Sequence, residues 1–354
     1  MKDDYLWDGS GEPDPEIQEL ETLLGRFRHS RPAPDFPVIP ETVQRWTWSW
    51  LLGNRTLVGA VAVAIAVLVT AGLWLAYRGT KAPAPSASGW SVVRVAGTPY
   101  VGSKAVGQDR RNVRLAVGQT LVTDARSQAS ISVDEIGDVE VEPDTRLRLL
   151  QADPAGHRLA LDLGTIHVAI WAPPGEFMVD TPSALAVDMG CAYTLHVDAA
   201  GAGILRTTLG WVGFKLAGRE SFIPAGAACS TRPGIGPGTP YFEDAPAPFR
   251  AALAGFDFGD PDKRTVELGV VLAHARPRDA LTLWHLLGRT GPGERGHVYD
   301  RLAALVPPPA GVSRTGVLDL NQTMLDLWWD KLGLGDVSLW RTWERSWAEP
   351  QHGK

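Results

Sequence analysis

The sequence predicts a single-pass membrane protein in which a mainly β domain, built as an antiparallel sandwich or a coiled β stack, is followed by a small α-helical C-terminal domain. Three patterns predict it. They are an uncharged apolar run from Leu57 to Tyr77, a switch to period-two alternation after about residue 90, and a return of helical periodicity from about Ala245. The expected segments are a partly disordered 1–56 with one amphipathic helix, a spanning helix at 57–77, an Ala/Pro/Ser linker at 78–89, the β domain at 90–235 and a Trp-rich helical domain at 245–348.

As a helix, the run from Leu57 to Tyr77 is long enough to cross a hydrocarbon core of roughly 30 Å. Thr70 is the only polar side chain in its interior, so it lacks the polar face of a core helix. A cleaved signal peptide is the rival reading, but such peptides begin near the N-terminus, and here a polar, proline-bearing segment comes first. Arg45 and Arg55 precede the run and Arg78, Lys81 and Arg94 follow it, so the flanking charges do not set the orientation. The exported character of the long C-terminal part places the N-terminus inside. Trp46, Trp48 and Trp50 fit the headgroup level next to lipid.

The N-terminal segment opens with Gly9, Gly11, Pro13 and Pro15, which break regular structure. Asp14 then suits an N-cap with Pro15 at the first helical position, and Ile17, Leu20, Leu24 and Phe27 recur on one helix face. A lone amphipathic helix followed by RPAPDFPVIP has nothing to pack against. Together with Tyr5, Leu6 and Trp7, its apolar face is the candidate partner-binding surface, and a disordered tail with a transient helix is the alternative.

The chain has 354 residues and a net charge of −6, which gives no electrostatic footprint for nucleic acid. Its two cysteines, Cys191 and Cys229, form neither a CxxC nor a zinc-finger spacing. His157, His167, His196, His274, His285 and His297 never form HExxH or a close pair, and no GxSxG, GxxxxGK or GxGxxG loop sits in the context its chemistry needs. Asp180, Asp188 and Asp198 follow strand ends, where turn chemistry accounts for them. The expectation is a protein without catalysis, cofactor or metal.

In the β region, ASISV (129–133), DVEVE (138–142) and TRLRLL (145–150) alternate strictly. Ile131, Val133, Val139, Val141, Leu147 and Leu149 are assigned to the core face, and Glu140 to a cross-strand pair with an arginine of the next strand. RLALDLG, TIHVAIW, EFMVDTP, ALAVDMG, YTLHVD, ILRTTLG, WVGFKL and ESFIPAG continue the pattern between Gly, Pro or Asp-Pro breaks. The glycine intervals shrink along the chain, so there is no strict repeat.

The order of these pieces resembles a known family. GQTLVT (118–123), EPDTRLRLL, LALDLGTIHVAI, FMVDTPSALAVDMGCAYTLHV, LGWVGFKL and IPAGAAC follow one another as in the FecR domain of transmembrane sigma-factor regulators. The resemblance runs from residue 91 to about 230. It implies a protein of the bacterial inner membrane, with lipid around the span, a cytoplasmic N-terminus that modulates an extracytoplasmic-function sigma factor, and a periplasmic β domain that receives a signal, possible outer partners being an envelope or outer-membrane protein. Cys191 stands where FecR-like domains often have threonine. In an oxidising compartment Cys191 and Cys229 are expected to form a disulfide, with two buried free thiols as the alternative. An envelope-binding or scaffolding protein is the second functional reading.

From Ala245 the helical pattern runs through APFRAALAGF, TVELGVVLAHA, PRDALTLWHLLGR, RGHVYDRLAALV, TMLDLWWDKLG and DVSLWRTWERSW. Trp340, Trp343 and Trp347 recur at helical spacing in the last of these. Such a stripe is expected in a core, and its alternative is an aromatic surface for sugar rings or an envelope protein.

Overall fold

The structure is a computed structural model that describes residues 89–107, 113–154, 156–216, 218–335 and Ser338. The expected spanning run 57–77, the partner-binding candidates Tyr5, Leu6, Trp7, Ile17, Leu20, Leu24 and Phe27, and the stripe Trp340, Trp343 and Trp347 lie outside these residues. Among the described residues no helix is long and apolar enough to cross a membrane. The single-pass class is corrected accordingly, to a mainly β chain with a helical C-terminal part.

The strands in chain order are β1 (Gly89–Ala96), β2 (Tyr100–Val101), β3 (Lys104–Ala105), β4 (Val113–Ala116), β5 (Thr120–Val122), β6 (Gln128–Val133), β7 (Gly137–Val141), β8 (Arg146–Asp153) and β9 (Gly156–Ile170). They continue as β10 (Phe177–Asp180), β11 (Leu185–Asp188), β12 (Cys191–Val197), β13 (Gly203–Leu209), β14 (Trp211–Leu216), β15 (Arg219–Pro224), β16 (Ala227–Arg232), β17 (Gly236–Pro237) and β18 (Tyr241–Phe242). Among the described residues the α-helices that follow are α1 (Ala247–Phe258), α2 (Arg264–His274), α3 (Ala280–Arg289), α4 (Pro292–Leu305), α5 (Arg314–Leu318) and α6 (Gln322–Leu332).

The strands form two layers. One sheet runs β4-β1-β6-β7-β9-β12-β13-β16, with β17 and β18 both on β16. The other runs β3-β2-β5-β8-β9-β10-β11-β14-β15. Strand β9 belongs to both. Its first half pairs with β8 and β10, and from Gly164 onward it pairs with β12 and then also with β7. The change of sheet happens at Gly164, whose φ of +99° lies in the region that L side chains avoid and where an added Cβ would overlap Thr145 Oγ1. Because the chain passes through the other sheet before returning, β10 runs parallel to β9, the single departure from the antiparallel expectation among the pairs described.

The alternating residues fill the space between the layers. Ile131, Val133, Val139 and Val141 from one sheet face inward with Leu147, Leu149, Leu159 and Leu161 from the other, and all are buried. Glu140, however, does not meet an arginine. It lies opposite Ser130 on β6 and His167 on β9, because β7 and β8 sit in different sheets. Pro143 has no amide to continue a ladder, and Asp144 at φ 53° turns the chain from one layer to the other.

The helical part packs onto the β15 end of this sandwich, within the compact unit that spans Lys81–Lys354. Helix α3 is its centre, with Ala280 through Leu287 all buried. Phe222 of β15 sits among Trp211, Trp284, His285 and Trp329, at ring separations of 5.8, 6.1, 5.8 and 5.5 Å. Trp284 Nε1 donates to the Leu325 carbonyl at 2.8 Å, which ties α3 to α6. Asn321 caps α6 by accepting the Met324 amide, and Gly333 ends it with φ +66°.

Candidate functional site

Among the described residues, strand β15 pairs with β14 and with no strand on its other side, so that edge needs partners for its backbone groups. Helix α3 supplies them. Two strand residues rise about 6.6 Å and four helix residues about 6 Å, so side chains at i and i+4 of a helix match alternate backbone groups of an adjacent strand. His285 Nε2 accepts the Phe222 amide at 3.0 Å, and Arg289 Nη2 donates to the Glu220 carbonyl at 2.6 Å.

The chemistry of His285 follows from its neighbours. Its Nδ1 donates to the Leu281 carbonyl at 2.8 Å, and an amide can only donate to Nε2, so the ring is neutral with its proton on Nδ1. Burial, followed by the positive charge of Arg289, pulls its pKa down to about 3. With both nitrogens engaged it is not placed to act as a general base.

Arg289 also donates to Ser221 Oγ at 2.7 Å and Thr239 Oγ1 at 2.9 Å. Its charge faces Asp257 of α1, whose carboxylate lies 3.7 Å away and is 2% exposed. Asp257 accepts Arg219 Nη2 at 2.7 Å and the amide and hydroxyl of Thr239 at 2.5 and 3.0 Å. Burial pulls the Arg289 pKa down to about 10, which still leaves the guanidinium charged at neutral pH. Arg264 of α2 caps the C-terminal end of α3 by donating to the Arg289 carbonyl at 2.9 Å, and its guanidinium lies 4.2 Å from the Phe256 ring centroid.

These elements enclose a cleft of about 460 Å³ between the β14–β15 turn, α3 and the start of α6. Arg219, Arg264 and Arg289 contribute its charged wall, Phe222 and Trp284 its aromatic wall, and Gln322 its rim. Glu220 and His285 complete the polar lining of the cleft. Among the described residues, no group of three or more His, Cys, Asp or Glu side chains is placed to hold a metal ion.

The two cysteines do not meet. Cys191 and Cys229 are free and buried, which corrects the expected disulfide. The reason lies in the sheet: Cys229 on β16 pairs with Leu205 on β13, which pairs with Leu195 on β12, four residues from Cys191. Two strand spacings alone are roughly 10 Å, beyond the span of a disulfide. The Cys191 thiol donates to Asp188 Oδ2 at 3.0 Å, and the Cys229 thiol to the Gly238 carbonyl at 3.0 Å. Burial pushes the Cys229 thiol up to about 12 and that of Cys191 higher still.

Asp188 serves its turn from a buried position. It is 1% exposed, accepts the Gly190 amide at 2.7 Å as well as the Cys191 thiol, and is pushed up to about 7, chiefly by burial. Asp180 forms a two-pronged pair with Arg158 at 2.5 and 2.7 Å, while Asp198 does serve a turn through the Ala200 and Ala202 amides. His285 was legible only as a hydrogen-bonded helix histidine, and Arg219, Asp257, Arg264 and Arg289 carried no sequence signal beyond the His-Arg spacing in HLLGR.

No family model matches the chain, and no curated protein matches it. Among solved structures, two crystal structures described as a candidate anti-sigma factor from Parabacteroides distasonis ATCC 8503, at 1.65 and 2.50 Å, are similar at 12% identity and a TM-score of 0.31. The match covers 38% of this chain and 63% or 62% of theirs, so less than two thirds of that protein is spanned. At that TM-score the likeness carries no argument about mechanism.

Proposed function

We propose that this chain is a non-enzymatic regulator of the FecR type, in which the β domain with its helical cap receives a signal and residues 1–56 modulate an extracytoplasmic-function sigma factor. The observation that supports this reading is that the family-like pieces fall, in order, on strands of the β domain. GQTLVT falls on β5, TRLRLL on β8, LALDLGTIHVAI on β9, FMVD on β10, CAYTLHV on β12 and WVGFKL on β14. In the native host, the full chain is expected to co-purify with a sigma factor, and deletion of residues 1–56 to abolish the association. Retention of the sigma factor after that deletion, or its absence from the full-chain complex, would overturn the proposal.

The scaffolding reading is favoured by one feature. Ala169, Ala192 and Leu209 form a row across β9, β12 and β13, and Trp171, just past the end of β9, is 64% exposed. If that row holds an envelope partner, Trp171→Ala releases the partner and leaves any sigma-factor association intact.

A further inference from the structure

We infer that the cleft beside α3 binds an organic carboxylate. The inference is independent of the sigma-factor proposal. Three guanidinium groups, Arg219, Arg264 and Arg289, line the cleft against two carboxylates, Asp257 behind it and Glu220 beside it. The Asp257 oxygens are already taken by Arg219 and by the amide and hydroxyl of Thr239. Among the described residues, Arg219 donates one hydrogen bond, from Nη2 to Asp257, and Arg264 one, from Nη2 to the Arg289 carbonyl. The Nε of each is buried and closed off from the cleft, whereas among the described residues the Nη1 of each makes no hydrogen bond and is the donor left to a ligand. Half-buried guanidinium groups with an unfilled Nη donor are groups that an incoming carboxylate can meet end-on.

The opposite wall defines the rest of the ligand. Phe222 and Trp284 offer aromatic surface, and the volume of about 460 Å³ exceeds what an inorganic ion fills. A carboxylate with an apolar or aryl body satisfies both walls. Gly288 marks the place where such a body would sit, because it is exposed on α3 and a Cβ added there would meet no atom within 4 Å.

Phenylacetate is the probe, titrated into the full chain at fixed ionic strength, with neutral phenylacetamide as control and Trp fluorescence and thermal unfolding as readouts. Phenylacetate is expected to change the fluorescence saturably and raise the melting temperature, and phenylacetamide to do neither. Arg264→Gln should weaken binding by about tenfold or more, the scale of one lost charge-assisted contact. Gly288→Glu carries its own carboxylate into the cleft and removes a helix glycine, so it should abolish binding while raising the melting temperature, whereas Gly288→Lys removes the same glycine but adds a positive charge beside three guanidinium groups and should raise it less. Equal responses to acid and amide, no response to either, or unchanged binding in both Arg264→Gln and Gly288→Glu would overturn the inference.

Discussion

Two polar clusters, each built on a buried carboxylate, hold different things together. At the α3 edge, His285 and Phe222 are 63 positions apart in sequence, and Arg289 and Glu220 are 69 apart. Around Asp188, the partners Gly190 and Cys191 lie within three residues. The first cluster joins a helix to a sheet, and the second fixes one turn. Burial alone therefore does not rank a polar group; what its partners bridge decides whether losing it opens an interface or loosens a corner.

The largest test of that contrast is Asp257→Ala, which leaves Arg219 and Arg289 facing each other without a carboxylate. It is expected to cost about 3–5 kcal/mol in denaturant unfolding, and a loss no larger than that of a surface mutation would break the comparison. His285→Leu comes next, at about 1–3 kcal/mol, because the Phe222 amide is left buried without an acceptor. Hydrogen exchange should show protection lost at Phe222 and retained around Asp188.

The pH dependence sharpens the contrast further. His285 is neutral when folded down to about pH 3 and protonates near 6.5 when unfolded, so its contribution is full above 6.5 and declines as pH falls. Asp188 is protonated when folded up to about pH 7 and ionises near 3.8 when unfolded, so its contribution is full at low pH and declines as pH rises. Between about pH 4 and 6.5 the folded and unfolded chains hold the same number of protons on this pair, and the two slopes cancel. Asp188→Asn should then gain stability with rising pH in that window and His285→Gln lose it, each by about 1.4 kcal/mol per pH unit relative to the parent. Parallel profiles for the two variants would show that the clusters do not titrate as described.

The smallest effect concerns the thiols. Neither cysteine should react with a thiol reagent in the folded chain, and two free thiols should be counted after unfolding without reductant. A count of zero would restore the disulfide.

How much of this was legible follows from the range of each signal. The inward faces of β6, β7 and β8 were readable because alternation is local and half-buried strands obey it. The sheet to which each strand belongs was not, since Asp144 and Gly164 redirect the chain by backbone conformation that leaves no periodic trace. Glu140 was misassigned for that reason. The α3 edge was harder still, because Arg219, Asp257 and Arg289 come from a strand and two helices and become a cluster only once those are packed. A histidine and an arginine four apart in an otherwise apolar helix was the one clue, and it does not say what they face.

Strand β9 has a mechanical consequence. Because it is stitched into both layers, neither sheet can slide over the other without tearing a ladder, and shear is closed to this sandwich as a mode of motion. What remains is rotation about the bend at Gly164, and the hydrogen bonds between Thr145 Oγ1 and the Thr165 backbone beside it hold that bend. Any displacement carried across this domain therefore moves the whole block or its helical cap, and not one layer over the other.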